Sequence, residues 1–309
     1  MTLMLFSILY LTGLIFLIGC IVRFFMYARL PLHLRWELYP VPHEAPHRAA
    51  HGGSYFEDLD WWEKPKESSL IGEARVMVPE ILFLKALWEH NRTLWFRSFP
   101  FHFGLYLLIG TALLVAASGL FGLFAPSLAA GGAGNALHIV CIVCGGAGAV
   151  LAISGAMGLL IRRLGDAKLK NYTTPGDIFN LLFFIAALGI TLAGYLTQGA
   201  DAPGMAGIAA AVLSFDTSVP VPVLLGIGLI LLGLLCAYIP MTHMSHFIGK
   251  YFTYHSVRWS DEPNRRGGAI EKKLMEYLTY RPTWSAKHMK ADGKKTWADV
   301  ATTNPTDGE

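Results

Sequence analysis

Charge is missing from four long runs of this chain, residues 2–22, 98–161, 178–200 and 217–249, and each run is dominated by apolar side chains. A helix needs ~20 apolar residues to cross the hydrocarbon of a bilayer. The 98–161 run is long enough for two crossings, with Ala125-Pro126-Ser127 and Gly131-Gly132-Ala133-Gly134 as the turn between them. The pattern therefore predicts five membrane helices over about 3–27, 100–124, 136–161, 177–198 and 220–248. A different pattern fills residues 79–96, where Ile81, Leu82, Leu84, Leu87, Trp88 and Trp95 alternate with Lys85, Glu89 and Arg92. It predicts one amphipathic helix lying in the membrane interface with its aromatics at headgroup depth. Residues 31–66 show neither a helical nor a strand period.

The polar segments between the crossings carry the orientation. Five spans place the N-terminus, the turn near 125–135 and the loop 199–219 on one side, and these contain no Lys or Arg. All but one of the 25 basic residues fall in 28–99, 162–176 and 249–309, and the remaining Arg23 lies at that end of the first helix. The positive-inside rule assigns the basic side to the cytoplasm and the N-terminus to the periplasm. The first span has no basic residues before it and no small-residue cleavage site, so it is expected to be a retained helix instead of a signal peptide.

The expected fold is thus all-α and integral to a bacterial inner membrane. It comprises a first transmembrane helix (1–27), a cytoplasmic insertion between helices 1 and 2 (28–99), a four-helix membrane bundle (100–248) and a cytoplasmic tail (249–309). Composition agrees: 53% of the 309 residues are hydrophobic and 15% charged, against about a quarter charged in soluble domains. The net charge of +3 reports sidedness and gives no reason to expect nucleic acid.

Chemistry enters through the histidines. An ionisable side chain inside a membrane is costly and marks a functional-site hypothesis. The second span runs outward and the fifth inward, so the topology brings His102 and His246 to similar depth near the cytoplasmic side. Two imidazoles on facing helices suit the axial positions of a haem, and full axial ligation favours electron transfer over oxygen chemistry. Each could equally be a histidine bonded to a neighbouring carbonyl. His243, one turn before His246, is a competing ligand. Cys141 and Cys144 form a Cys-x-x-Cys pair without partner ligands nearby and, like Cys20 and Cys236, read as small packing residues. The glycines of Gly145-Gly146-Ala147-Gly148, Gly155, Gly158, Gly226, Gly228 and Gly233 either let helices approach closely or clear room for a flat macrocycle.

Phe101-His102-Phe103-Gly104, Gly145-Gly146-Ala147-Gly148 with Arg162-Arg163, and Pro240 six residues before His246 resemble the gamma subunit of respiratory nitrate reductase. That resemblance implies a five-helix, haem b-binding membrane subunit that exchanges electrons with quinol. The stretch from Pro31 through His43 to Glu44, followed by Gly52-Gly-Ser-Tyr-Phe-Glu-Asp-Leu-Asp-Trp-Trp62, instead resembles the cytochrome b subunits of the Tmc and Dsr complexes of sulfate-reducing bacteria. This likeness implies a cytoplasmic iron–sulfur partner similar to heterodisulfide reductase, and menaquinone or a periplasmic multihaem cytochrome c on the other side. His102 and His246 match the family's cytoplasm-proximal ligands. The distal pair is replaced by Ala112 and Gly228, which leaves His138 as the candidate ligand for a second haem.

Arg35, Trp36, Tyr39, Trp61 and Trp62 are expected to form a docking surface, since aromatics and Arg are favoured at interface cores. The histidines at 33, 43, 47 and 51 lack zinc-type spacing. No phosphate-binding loop, nucleophile elbow or His-Glu-x-x-His motif occurs. No catalytic residue is therefore expected, and the chain is either non-catalytic alone or the quinol-oxidising or quinone-reducing subunit of a complex. Two other classes compete with this reading. One is a haem-free anchor tethering soluble redox subunits, and the other a small-molecule transporter, disfavoured because no carboxylate sits mid-membrane.

Overall fold

A computed structural model describes residues 2–29, 70–170, 172–255, 266–283 and 291–304, and among them all regular structure is helical. The chain divides into two compact units, residues 1–23 with 74–247, and residues 24–73 with 248–309. Along the chain run α1 (Thr2–Ala28), α2 (Leu70–Phe83), α3 (Lys85–His90), α4 (Arg92–Phe124), α5 (Gly132–Gly165), α6 (Pro175–Leu196), α7 (Met205–Ser214) and α8 (Val223–Tyr238). They are followed by α9 (His246–His255), α10 (Ala269–Leu278) and α11 (Trp297–Thr302). Five of these, α1, α4, α5, α6 and α8 continued to Met241, are long and apolar enough to cross a membrane.

The ends of these helices follow from local chemistry. Asn91 caps α4, its side chain accepting the Leu94 N–H at 3.1 Å. Thr174 and Asp177 form a reciprocal capping box at the start of α6, with Pro175 in the first turn. Arg162 and Arg163 occupy the last turn of α5, where cations complement the carbonyl end of a helix.

In the first unit α4 packs on α5, α5 on α6, and α6 on α8. One cluster joins all four: Phe101, Leu105 and Leu108 of α4, Ala152 of α5, Phe184, Ala187 and Leu188 of α6, and Leu235 of α8. Small residues set the spacing. A Cβ at Gly104 would collide with the backbone of Gly148 and Ala152, and one at Gly155 with the backbone of Phe101. These glycines therefore serve close helix packing, the only way lipid-embedded helices gain van der Waals contact at this range. α1 lies along α8, where Thr12 Oγ1 would stand 2.7 Å from a Cβ on Gly233 and Leu5 packs with Leu225.

Three departures from the sequence expectation have physical causes. The amphipathic stretch 79–96 is divided: α2 contains Pro79, Leu84 takes a left-handed conformation (φ 52), and α4 begins at Arg92. The Glu80 carboxylate accepts the Ala86 N–H at 2.8 Å, and Asn91 caps α4, so polar caps override the apolar period. The fifth span is not one helix to residue 248. α8 stops at Tyr238, and the 3-10 turns Ile239–Met241 and His243–Ser245 precede α9, because Pro240 cannot donate a backbone hydrogen bond. The loop 199–219 contains α7, whose Ile208 and Ala211 are buried with Leu5, Phe6, Val221 and Leu225.

The described part of the tail is helical too. In the second unit the Tyr280 carbonyl accepts the Trp297 N–H at 2.9 Å, and Thr296 with Asp299 makes a capping box for α11. Arg35, Trp36, Tyr39, Trp61 and Trp62 lie outside the described residues.

Replacing Gly104 with valine should lower stability by about 1–3 kcal/mol through overpacking. Gly146→Val should leave it nearly unchanged, because a Cβ there meets nothing within 4 Å. Thermal unfolding of the two purified variants in one detergent compares them directly.

Candidate metal centre

His102 sits about one turn into the charge-free part of α4, on the side away from the α5 contact. Its neighbours Phe101 and Gly104 face the shared core and the α5 backbone. His102 Nδ1 is 2.8 Å from the Ser98 carbonyl one turn earlier. A carbonyl only accepts, so Nδ1 is the donor and the ring's lone pair is at Nε2. His246 opens α9 just after the break in the fifth span, and its Nδ1 is 3.3 Å from the His243 carbonyl. The same logic puts its lone pair on Nε2.

The two rings meet. Their centroids are 6.2 Å apart with an interplanar angle of 67°. A metal–imidazole bond of about 2 Å, with the ring centre about 1 Å further out, places two rings on opposite sides of one metal about 6 Å apart. Among the described residues no three His, Cys, Asp or Glu side chains gather as a metal-holding group. Two imidazoles alone do not build a closed protein site of the zinc kind. They fit a metal that brings its other ligands with it, as iron in a porphyrin does.

His243 is engaged elsewhere. Its Nε2 faces Asp177 Oδ1 at 3.9 Å, and Asp177 Oδ2 lies 3.4 Å from Arg163 Nη1. This group joins the end of α5, the start of α6 and the broken segment before α9. Of its three residues the sequence pattern had singled out Arg163 and His243, but not Asp177. Nearby, the Tyr238 hydroxyl donates to Asn180 Oδ1 at 2.9 Å, and Asn180 is buried. Neither residue was singled out from the sequence.

The other end of the bundle is different. His138 is exposed on α5 and belongs to no group of three or more ligand-type side chains among the described residues. Ala112 is exposed on α4. Gly228 is closed over by α6, since a Cβ there would stand 2.6 Å from Thr191 Cα. α7 packs along α4, where Gly119 admits the backbone of Ala209 and Ala210, and it reaches α1 and α8 through Ile208 and Ala211. The Tyr10 hydroxyl donates to the Val212 carbonyl at 2.6 Å and ties this helix down.

The sequence model of one protein family, described as nitrate reductase gamma subunit, matches residues 86–260. That is more than half of the chain. The chain belongs to the nitrate reductase gamma subunit family. Members are membrane cytochrome b electron-transfer subunits that bind haem b, and the five apolar helices make this one a multi-pass membrane protein. The match takes in α4 to α8 and the histidines at 102, 138, 243 and 246. No curated protein matches the chain.

Tyr238→Phe should cost about 0.6–2 kcal/mol, the range for interhelical hydrogen bonds in membrane bundles. Unfolding of the purified variant in sodium dodecyl sulfate titrations measures it, and an unchanged midpoint would mean the Tyr238–Asn180 bond contributes nothing.

Proposed function

We propose that this chain is the haem b subunit of a respiratory redox complex in a bacterial inner membrane, and that His102 and His246 are the axial ligands of its one haem. The observation that carries this is the 6.2 Å approach of the two rings, each with Nδ1 on a backbone carbonyl. When bound, the haem supplies one-electron transfer between the quinone pool and a soluble partner. The chain's own residues do the rest. The Ser98 and His243 carbonyls hold each imidazole in the tautomer that offers Nε2 and raise its basicity. Phe101 touches the His102 ring edge-on at 5.4 Å and Phe184 at 5.1 Å, fixing an apolar wall against α6.

The proposal orients the N-terminus to the periplasm and the His102–His246 end to the cytoplasm. Its support is the distribution of Lys and Arg, which avoid one side of all five spans. The aromatic series at the start of α4 agrees: Trp95 stacks on Phe99 at 4.4 Å, Phe99 on Phe103 at 5.4 Å, and Arg92 lies over Trp88. Rings of this kind suit the headgroup level of a bilayer. The partner at that end is proposed to be a cytoplasmic iron–sulfur protein of the heterodisulfide reductase type, on the likeness of residues 31–62 to the Tmc and Dsr subunits. The electron donor or acceptor within the membrane is proposed to be menaquinone, with a periplasmic multihaem cytochrome c as the other candidate.

The proposal of a single haem is supported by the close packing at the other end of the bundle. Ala112 and Gly228 stand where the family pattern has a second pair, and Thr191 fills the space in front of Gly228.

The expected haem b content of the purified chain is one per polypeptide. His102→Ala and His246→Ala should each abolish the reduced-minus-oxidised b band, whereas His138→Ala and His243→Ala should keep it. A wild-type chain with no b band would favour a haem-free membrane anchor and end the proposal.

A further inference from the structure

The Arg163–Asp177–His243 group lies outside the ring pair, yet it ends on the residue whose carbonyl holds His246. Asp177 is the only acidic residue that α6 carries, its side chain is 14% exposed, and three elements converge on it. Its Oδ2 accepts the Thr174 N–H and Oγ–H, each at 2.9 Å, and faces Arg163 Nη1 at 3.4 Å. Its Oδ1 faces His243 Nε2 at 3.9 Å. The His243 carbonyl in turn accepts the Nδ1–H of His246. Helix capping alone uses only the Thr174 side of this carboxylate. The contacts to α5 and to the broken segment are additional, and they cross between elements that share no cap.

We propose that Asp177 is a positioning residue for His246: anchored to Arg163, it holds the His243 side chain, so that the carbonyl of His243 is presented to the His246 ring. This deepens the haem assignment and rests on it. The broken segment needs such an anchor. Between Tyr238 and His246 the α-helical ladder is replaced by two 3-10 turns, with Thr242 capping Met244 and Ser245 donating back to the Thr242 carbonyl at 2.8 Å. Two short turns joined at an extended residue (Thr242, ψ 178) do not fix the direction of the following ring. A side-chain tether one residue past that joint does. Arg23 performs the matching task on the other side of the joint, its Nε donating to the Pro240 carbonyl at 2.8 Å.

Partners one shell out from a metal-bound histidine are worth 10–100-fold in metal affinity. Asp177 acts through His243, so the lower end applies. The test uses the purified full chain with its haem bound and reads haem transfer to excess apomyoglobin, together with the low-spin electron paramagnetic resonance spectrum of the oxidised form. Asp177→Asn is expected to release haem about tenfold faster and to move the g-values, which report the angle between the axial ring planes. His243→Ala should do the same, and the double variant should be no worse than either single one, because both cut one chain of contacts. Thr296→Ala breaks the equivalent capping box of α11, which shares no residue with this group, and should leave release and spectrum as in the wild type.

Asp177→Asn behaving as wild type, or Thr296→Ala behaving as Asp177→Asn, overturns the inference and leaves the haem assignment standing. Should Asp177→Asn fail to fold, His243→Ala decides alone: unchanged release and g-values sink the inference. A wild-type chain without haem b overturns both readings together.

Discussion

Backbone-to-backbone contact between α4 and α5 fixes everything that follows. With no side chain at Gly104, Gly148 or Gly155, the two helices meet at the distance their main chains allow. In lipid no hydrophobic force drives helices together, so packing at this range is a main source of association. The contact also fixes the rotation of α4. Residues two apart on a helix differ by about 200° around its axis, so with Gly104 against α5, His102 must face the opposite way. There it meets the segment returning from α8. The position of one imidazole is thus a consequence of three missing Cβ atoms on the other face.

The partner imidazole depends on a helix that fails. The fifth span does not continue as a regular helix to residue 248. Pro240 removes a donor, two 3-10 turns follow, and the freed carbonyls find other partners: that of Pro240 takes Arg23, and that of His243 takes His246. Broken helices are tolerated at membrane depth only where side chains re-satisfy the backbone. Here the re-satisfying groups are also the ones that set the ring. The break and the site are therefore one feature.

The sequence made some of this legible for physical reasons that can be named. Charge-free runs and turn residues placed all five long helices, because burial of charge in lipid is so costly that its absence is a strong signal. His102 and His246 stood out for the same reason. The apolar period across 79–96 misled, since a period of 3.6 says nothing about a cap in its middle; Glu80 and Asn91 had to be weighed against it. α7 was hidden because ten apolar residues are too few for a crossing, and its role depends on contacts with α1 and α4 far away in sequence. Asp177 was not singled out, because Arg163 and His243 reach it only through the packing of α5, α6 and the broken segment.

That packing also explains why the two ends of the bundle diverge. The end with His102 and His246 is built from a broken segment, carbonyls that accept from imidazole and guanidinium, and the Arg163–Asp177 pair. The other end is built from small residues and an inserted helix: Gly119 beneath α7, Gly228 beneath Thr191, Gly194 beneath Leu225. Gly119 seats α7 on α4, and Gly228 and Gly194 draw α6 and α8 together. A histidine at Gly228 would meet the α6 backbone at Thr191, so no ring could be housed there unless α6 moved.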